Sequence, residues 1–166
     1  MENDISRKKL LELGNLKNKK LLDVGAGKLA LVAARDFNCD VTTIDLNQEK
    51  LEEQRQDLIK ENYKGKINLE LGDATELKYG NNSFDVLISY CVLHHIPLSK
   101  RKNFISELCR VSKEKVIIAE FTEKGFPHKN EYKIVDLEWL EKELNNCGHV
   151  EKHESINKNI YICSIK

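Results

Sequence analysis

Hydrophobic and polar positions follow two alternating patterns along this chain. Short apolar runs, either continuous or alternating with polar residues, predict strands at residues 20–24, 40–45, 67–71, 84–89, 115–121, 149–156 and 159–166. Longer stretches with apolar residues at helical spacing predict helices that begin near residues 28, 48, 99 and 137, besides a leading helix at about 5–13. Ser99 and Asp136 are expected to cap two of these helices, and Gly148 to end the last one. This alternation indicates an α/β sheet with helices on both faces.

The last two predicted strands differ from the others in how they are joined. Only Asn157 and Lys158 separate them, which is too short for a helical crossover, so they must pair as an antiparallel hairpin. The pattern therefore predicts a doubly wound, mostly parallel seven-stranded sheet that ends in an antiparallel C-terminal hairpin. We expect residues 1–166 to form a single domain, with residues 1–17 as a short N-terminal helical extension.

Composition excludes several function classes. The 27 Lys and Arg residues balance the 27 Asp and Glu residues, so the broad positive field of a strong nucleic-acid binder is absent. The five cysteines form no Cys-x-x-Cys pair, and no metal site is expected. The charged amino terminus does not resemble a signal peptide, and no apolar run approaches the roughly 18 residues of a membrane span. We expect a cytoplasmic protein that does not associate with membranes.

A glycine pair lies where the first strand meets the first long helix. Missing side chains at Gly25 and Gly27 let a ligand approach the backbone, and the free N–H groups of the helix favour a polar or negative group. With Ala30, the glycines match the pattern G-x-G-x-x-A of dinucleotide-binding proteins, and Asp45 follows at the spacing of the ribose-binding acid. A nicotinamide-dependent oxidoreductase is therefore one interpretation.

Asp23 and three later segments favour another interpretation. An acid two residues before the first glycine is not typical of dinucleotide enzymes, whose first strand stays apolar at this end. The chain resembles the class I S-adenosylmethionine-dependent methyltransferases, with a Rossmann-like sheet, from about residue 18 to its end. Four segments carry the resemblance in order: "LLDVGAG", "VTTIDLN", "LELGDATEL" and "NNSFDVLISYCVLHHIP".

The resemblance implies a role for five residues at the methionine end of S-adenosylmethionine. The backbone of Gly25, Ala26 and Gly27 would lie against this part of the cofactor. Asp23 would support its amino group, and Ser89 would offer a backbone carbonyl near the sulfonium.

The resemblance also implies how the adenosine end is held. Asp45 would accept hydrogen bonds from both ribose hydroxyls, and Leu46 would pack against the adenine face. Asp73 would accept from the adenine amino group, while the Ala74 N–H would face a ring nitrogen. Carboxylates suit these roles because they are pure acceptors and these cofactor groups are donors.

The chain departs from the family in the glycine turn. Where the family usually carries a third glycine, this sequence has Leu29. The alternative to an enzyme is therefore a non-catalytic module or partner subunit that binds S-adenosylmethionine without turnover.

Methyl transfer requires alignment of two partners and exclusion of water, and an acceptor with a proton to lose also needs a base. The candidates are His94 and His95 in the loop after the fourth strand, Tyr90 beside them and Glu120 at the end of the fifth strand. One histidine could instead pack into the core. Cys91 is interpreted as a buried thiol.

The acceptor is expected to be a small molecule. The loop "SYCV" lacks the Asn-Pro-Pro-aromatic signature of enzymes that methylate amino groups of DNA or glutamine, and "LHHIP" resembles the small-molecule group. Residues 122–133 form the one long connection that could cover the acceptor. Without such a lid, a second copy of the chain, a partner subunit or a large substrate would have to cover the site.

Overall fold

A computed structural model describes residues 4–127 and 133–166 of the chain. The strands are β1 Lys20–Val24, β2 Asp40–Asp45, β3 Ile67–Leu71, β4 Phe84–Tyr90, β5 Ser112–Phe121, β6 Gly148–Glu154 and β7 Lys158–Ile165. The α-helices are α1 Arg7–Gly14, α2 Leu29–Phe37, α3 Gln48–Lys60, α4 Arg101–Val111 and α5 Leu137–Cys147. Two short 3-10 helices, Leu93–His95 and Leu98–Lys100, lie between β4 and α4. No helix in these two ranges is both long enough and apolar enough to cross a membrane.

The seven strands form one sheet in the order β3-β2-β1-β4-β5-β7-β6. β1 to β5 run parallel, and β7 is antiparallel to both of its neighbours, β5 and β6. This topology confirms the predicted sheet and its C-terminal hairpin. The strand order reverses between β1 and β4, and ligands of such sheets bind outside the carboxyl ends of the strands at this point.

Helices cover both faces of the sheet. On one face Leu10 of α1 and Ala30 of α2 pack in one core with Leu21 of β1. On the other face Leu108 of α4 and Leu140 of α5 belong to a second core. Alternate side chains of the central strands enter one core or the other, as expected for strands buried on both faces.

One of the expected helix boundaries is different in the structure, and the other has a different backbone conformation. Ser99 does not cap a long helix, because Leu98–Lys100 forms a separate 3-10 turn and α4 begins only at Arg101, without a side-chain cap. α5 ends at Cys147 and Gly148 follows it, as predicted, but Gly148 is extended, with φ −176°, and begins β6. Glycine is needed at this position because β7 packs closely against it: a Cβ there would collide with the carbonyl oxygen of Ser164.

The start of the connection after β5 packs against the turn between β6 and β7. The Thr122 N–H donates to the Asn157 carbonyl oxygen at 3.0 Å, and the Thr122 hydroxyl donates to the Ile156 carbonyl oxygen. Gly125 lies so close to this turn that a Cβ would collide with the backbone of Asn157. Of the lid expected at 122–133, residues 128–132 lie outside the described residues, and Thr122 and Gly125 contact the turn between β6 and β7.

Candidate active site

A cavity of about 420 Å³ opens at the carboxyl ends of β1, β2 and β4. Its wall contains the glycine turn, the end of β2, the segment after β3 and the beginning of the loop after β4. Eight of the nine predicted cofactor residues and two of the four catalytic candidates line it. The cofactor residues are Asp23, Gly25, Ala26, Gly27, Asp45, Leu46, Asp73 and Ala74, and the catalytic candidates are Tyr90 and His95. Ser89, the ninth, is buried between β1 and β5 and does not line the cavity.

The two glycines of the turn are needed for different reasons. Gly25 has φ +97°, and a Cβ on it would lie 2.7 Å from the Cγ2 atom of Val92. Gly27 has nothing within 4 Å of the position of a Cβ, so its missing side chain leaves room in the cavity. Leu29 occupies the place of a third glycine as the first residue of α2, and its side chain is buried in the core. The departure from the family pattern therefore adds a core contact to the helix start.

Asp23 has an unsatisfied acceptor at the cavity wall. Its side chain is buried, and Oδ2 has no hydrogen-bond partner in the part of the chain that the structure describes. Burial raises the pKa of this carboxyl to about 8, although a hydrogen bond from the Thr43 hydroxyl and the charge of Arg7 oppose the rise. A buried acceptor of this kind is complementary to an ammonium group, which would provide both a donor and a compensating charge.

Asp45 at the end of β2 is oriented by the backbone on both sides. Its Oδ2 accepts from the Ala26 N–H and its Oδ1 from the Asn47 N–H, both at 2.8 Å. Each oxygen keeps a second lone pair for a further donor. Beside it, Leu46 is 65% exposed, which leaves an apolar side chain at the rim of the cavity for a ligand to cover.

Gln54 supports the glycine turn, and the sequence analysis did not identify it. Its Oε1 accepts from the Gly27 N–H at 3.2 Å, and its Nε2 donates to the Thr43 hydroxyl at 3.2 Å. The side chain is buried on α3, one helical turn after Leu51. The sequence did contain a signal for this role: a polar residue lies on the apolar stripe of the helix. A buried amide needs hydrogen-bond partners, so such a residue is expected to bond to a neighbouring segment.

Asp73, after β3, is held by a neighbouring threonine. Its Oδ1 accepts from the Thr75 N–H at 2.8 Å and from the Thr75 hydroxyl at 2.7 Å. These bonds, chiefly that of the hydroxyl, lower the pKa of Asp73. Its Oδ2 lies 3.8 Å from the Lys100 Nζ and accepts no hydrogen bond from the described residues, so it stays available for another donor.

Two side chains of α4 hold the segment that carries Asp73. Glu107 accepts from the Leu77 N–H at 2.8 Å, and Arg110 donates to the carbonyl oxygens of Leu77 and Tyr79. Arg110 and Glu107 also form an ion pair at 2.7 Å. The segment after β3 is thus held by a helix that comes after β4 in the chain, and the local sequence of the segment does not show this contact.

The four catalytic candidates fall into two pairs. Tyr90 and His95 line the cavity. His94 and Glu120 lie behind the wall as a buried pair, with His94 Nδ1 at 2.8 Å from Glu120 Oε1 and 1% of each side chain exposed. Glu120 also accepts from the His94 and Phe121 N–H groups. The structure therefore separates two adjacent histidines, one facing the cavity and one facing the protein interior.

Two further residues of the wall have properties that bear on its chemistry. Cys91 has φ +57° and a half-buried thiol whose pKa burial raises to about 12, so the protonated thiol is favoured. Arg7, which the sequence analysis did not single out, lies with its guanidinium carbon 4.8 Å from the centre of the Tyr90 ring. Among residues 4–127 and 133–166, no group of three or more acidic, histidine or cysteine side chains could hold a metal ion.

Comparison with known families agrees with this arrangement. A family model described as a methyltransferase domain matches residues 15–161. The chain therefore belongs to the methyltransferase domain family. Its fold is that of the class I enzymes: the structure of magnesium protoporphyrin IX methyltransferase from Synechocystis with bound S-adenosylhomocysteine superposes with a TM-score of 0.78 at 19% identity, covering 96% of this chain and 80% of that one.

Two curated relatives are similar over part of their length. An uncharacterised protein of Haemophilus influenzae is 28% identical over 102 residues, which is 60% of this chain and 41% of the relative. The ubiquinone/menaquinone biosynthesis C-methyltransferase UbiE of Geotalea daltonii is 30% identical over 116 residues, which is 66% of this chain and 48% of the relative. The matched regions span less than half of each relative.

The predicted family and fold are confirmed, and the nicotinamide-dependent interpretation is not supported. The fingerprint of Gly25, Gly27 and Asp45 alone fitted both families, and the family match decides between them. The roles of individual residues remain predictions.

Proposed function

We propose that this chain binds S-adenosylmethionine in the cavity at the carboxyl ends of β1, β2 and β4 and catalyses methyl transfer to a small-molecule acceptor. The unsatisfied, buried acceptor of Asp23 carries the proposal, since an ammonium group at the cavity wall would supply the hydrogen bond that Oδ2 lacks. Membership in the methyltransferase domain family supports it. The solved Synechocystis relative, which shares the fold, holds S-adenosylhomocysteine or S-adenosylmethionine in its crystals.

The described residues fit this cofactor along its whole length. Asp23 accepts from the ammonium group, and the open space at Gly27 admits the methionine chain beside the backbone of the turn. Asp45, with one lone pair left on each oxygen, accepts from the two ribose hydroxyls. The exposed Leu46 covers the adenine face, and the Asp73 Oδ2 accepts from the adenine amino group.

The Ala74 N–H and the Ser89 backbone carbonyl complete the predicted contacts. Ala74 lines the cavity next to Asp73, in keeping with a hydrogen bond to a ring nitrogen of adenine. Because the side chain of Ser89 is buried away from the cavity, any role of this residue is limited to its backbone.

When bound, the cofactor supplies a methyl group on a positively charged sulfur, so the protein must chiefly align an acceptor and keep water out. His95 lies on the cavity wall with an exposed side chain, where it takes a proton from an acceptor O–H or N–H. Tyr90 lines the same wall and receives a hydrogen bond from the Lys158 Nζ at 2.9 Å, which orients its hydroxyl. His94 and Glu120 are positioning residues, because their buried pair holds the 3-10 turn Leu93–His95, and with it His95, against β5.

The remaining parts of the proposal concern the kind of acceptor, the cover of the acceptor side of the cavity and the cellular location of the protein. The Geotalea relative is described as a C-methyltransferase of quinone biosynthesis, which supports an acceptor of small-molecule size. The described part of the connection after β5 does not line the cavity. The proposal includes a second copy of the chain or a partner subunit as the cover of the acceptor side. We place the protein in the cytoplasm.

Calorimetric titration with S-adenosylmethionine, S-adenosylhomocysteine and NADH tests the proposal. We expect binding of the two sulfur compounds and none of NADH. Asp45→Ala should weaken this binding by about 1 to 3 kcal/mol, or about 5- to 150-fold, because two ribose donors lose their acceptor. Asp40→Ala is the matched control, since Asp40 is exposed at the opposite end of β2.

Turnover separates the enzyme from a non-catalytic module. The same proteins are incubated with S-adenosylmethionine and a panel of small phenols, amines and carboxylic acids, and S-adenosylhomocysteine is measured. Release that Asp45→Ala reduces and Asp40→Ala does not supports the enzyme. Unchanged affinity in Asp45→Ala, or binding of NADH instead, would overturn the assignment of the site.

A further inference from the structure

Arg7 lies at the cavity but outside the residues that match the family model, 15–161. It is the first residue of α1, and its guanidinium stacks over the Tyr90 ring at 4.8 Å. Within the part of the chain that the structure describes, the guanidinium forms no hydrogen bond and no ion pair within 4 Å. A guanidinium carries five N–H donors in a planar fork that matches a carboxylate, so this wall has a strong anion-binding group with unused donors.

The segment before α1 is docked on the sheet, which fixes the place of Arg7. Asp4 forms an ion pair with Lys158 at 2.8 Å, and the same Nζ donates to the Tyr90 hydroxyl at 2.9 Å. Ile5 is buried, and the Ser6 hydroxyl caps α1 by accepting from the Lys9 N–H at 3.1 Å. Contacts on both sides of Arg7 therefore hold the start of α1 at the cavity.

Asp23 and Tyr90 point to the same side of the sheet as α1. Their strand neighbours Leu21 and Ile88, two residues earlier, pack in the core that contains the apolar residues of α1. Burial raises the pKa of Asp23, and the positive charge of Arg7 is one of the effects that oppose this rise. One end of the cavity thus brings together a buried acid with a free acceptor and a guanidinium with free donors.

These two groups are complementary to the two charges of an amino acid, an ammonium and a carboxylate on one carbon. We propose that Arg7 binds the carboxylate of the amino-acid end of S-adenosylmethionine while Asp23 binds the neighbouring ammonium, so that α1 forms one wall of the site. This inference rests on the proposed function. It also gives the carboxylate a partner at the end of the site where Leu29 replaces the glycine usual in the family.

The test compares two probes that differ only in the carboxylate. S-adenosylhomocysteine and its decarboxylated analogue, S-adenosyl-3-thiopropylamine, are titrated calorimetrically into the wild-type chain, Arg7→Met, Arg7→Lys and Lys8→Met. Methionine keeps an unbranched side chain for packing on Tyr90 but removes the charge. Lys8 is the matched control, since it is the next residue of α1 and is exposed.

Arg7→Met should weaken S-adenosylhomocysteine about 10- to 150-fold, the range for loss of charge-assisted hydrogen bonds. The decarboxylated analogue should bind this variant within about twofold of the wild type, and the wild type should prefer S-adenosylhomocysteine by about the same factor that Arg7→Met loses. Arg7→Lys should recover part of the loss because it restores the charge without the fork. Lys8→Met should change neither affinity.

Two results would overturn the inference while leaving the proposed function intact. Arg7→Met and wild type could bind S-adenosylhomocysteine equally well, or Arg7→Met could weaken both probes by the same factor, which would indicate a structural role of the residue in α1. Thermal unfolding of the variants identifies this second case. Failure of the wild type to bind either probe would instead refute the proposed function, and the role of Arg7 with it.

Discussion

The raised pKa of Asp23 allows a quantitative prediction: the number of protons released when the cofactor binds. The Asp23 carboxyl, whose ordinary pKa is 3.8, is raised to about 8 by burial, so about 0.9 of the molecules carry the proton at pH 7 without ligand. An ammonium group placed against Oδ2 favours the ionised form and lowers the pKa of the complex. Binding at pH 7 should therefore release about 0.9 proton per site.

Calorimetry in different buffers measures this proton directly. Released protons are taken up by the buffer, so the observed enthalpy should become more exothermic in Tris, which has a large heat of ionisation, than in phosphate, which has a small one. The slope of enthalpy against buffer ionisation enthalpy should correspond to about 0.9 proton. In Asp23→Asn, which has the same shape but no titrating group, the slope should vanish and the affinity should fall.

The affinity and the stability of the ligand-free protein should depend on pH in opposite directions. Between about pH 6 and 7 the affinity of S-adenosylhomocysteine should rise close to tenfold per unit and level off above about pH 8, as Asp23 ionises without ligand. The raised pKa means that the folded state holds more protons than the unfolded state between pH 3.8 and about 8, so its stability falls as pH rises through this window. Equal heats in both buffers, or an affinity that is flat from about pH 5.5 to 7.5, would refute the assignment of Asp23 to the ammonium group.

Three other substitutions probe the glycine turn and the buried pair. Gly27→Ala should leave thermal stability nearly unchanged, because its Cβ meets nothing within 4 Å, but should abolish calorimetric binding by occupying the cavity; retained affinity would contradict the placement of the cofactor. Gly25→Ala should lower the melting temperature instead, since φ is +97° there and the position is crowded. Glu120→Ala should reduce the free energy of unfolding in urea by about 1 to 3 kcal/mol because the His94 and Phe121 N–H groups lose the buried carboxylate that accepts from them. Glu123→Ala, at an exposed site three residues later, is the control, and an equal loss in both variants would show that the pair adds no stability.

Much of the fold could be predicted from local pattern. The start of β1 at Lys20 and of β2 at Asp40 were predicted correctly, because apolar runs between polar residues mark buried strands. Element ends were less accurate: β5 begins at Ser112, three residues before the expected start, and Ser99 lies in a 3-10 turn. Terminal residues are less certain because capping residues compete with short turns that local pattern does not distinguish.

The sequence by itself determined which segments form the sheet, which of its strands run parallel or antiparallel, and where the three acidic residues of the site lie. A short link between the last two strands permits only an antiparallel hairpin, and parallel strands bring their carboxyl ends to one edge wherever the chain crosses over. Asp23, Asp45 and Asp73 each lie at the end of such a strand or within two residues of it, so their meeting at one cavity followed from their positions in the chain.

Only the tertiary structure decided which other side chains hold the site in place and which line the cavity together with these acidic residues. His94 and His95 are adjacent and chemically equal in the sequence, yet Glu120 from another strand holds the first inside while the second faces the cavity. Gln54 and Arg7 reach the site from helices, where local sequence shows burial or charge but not the partner across the fold. Strand patterns follow from each residue's own preference for water or the core, whereas hydrogen bonds and charges depend on a second group whose position is set only when the chain has packed.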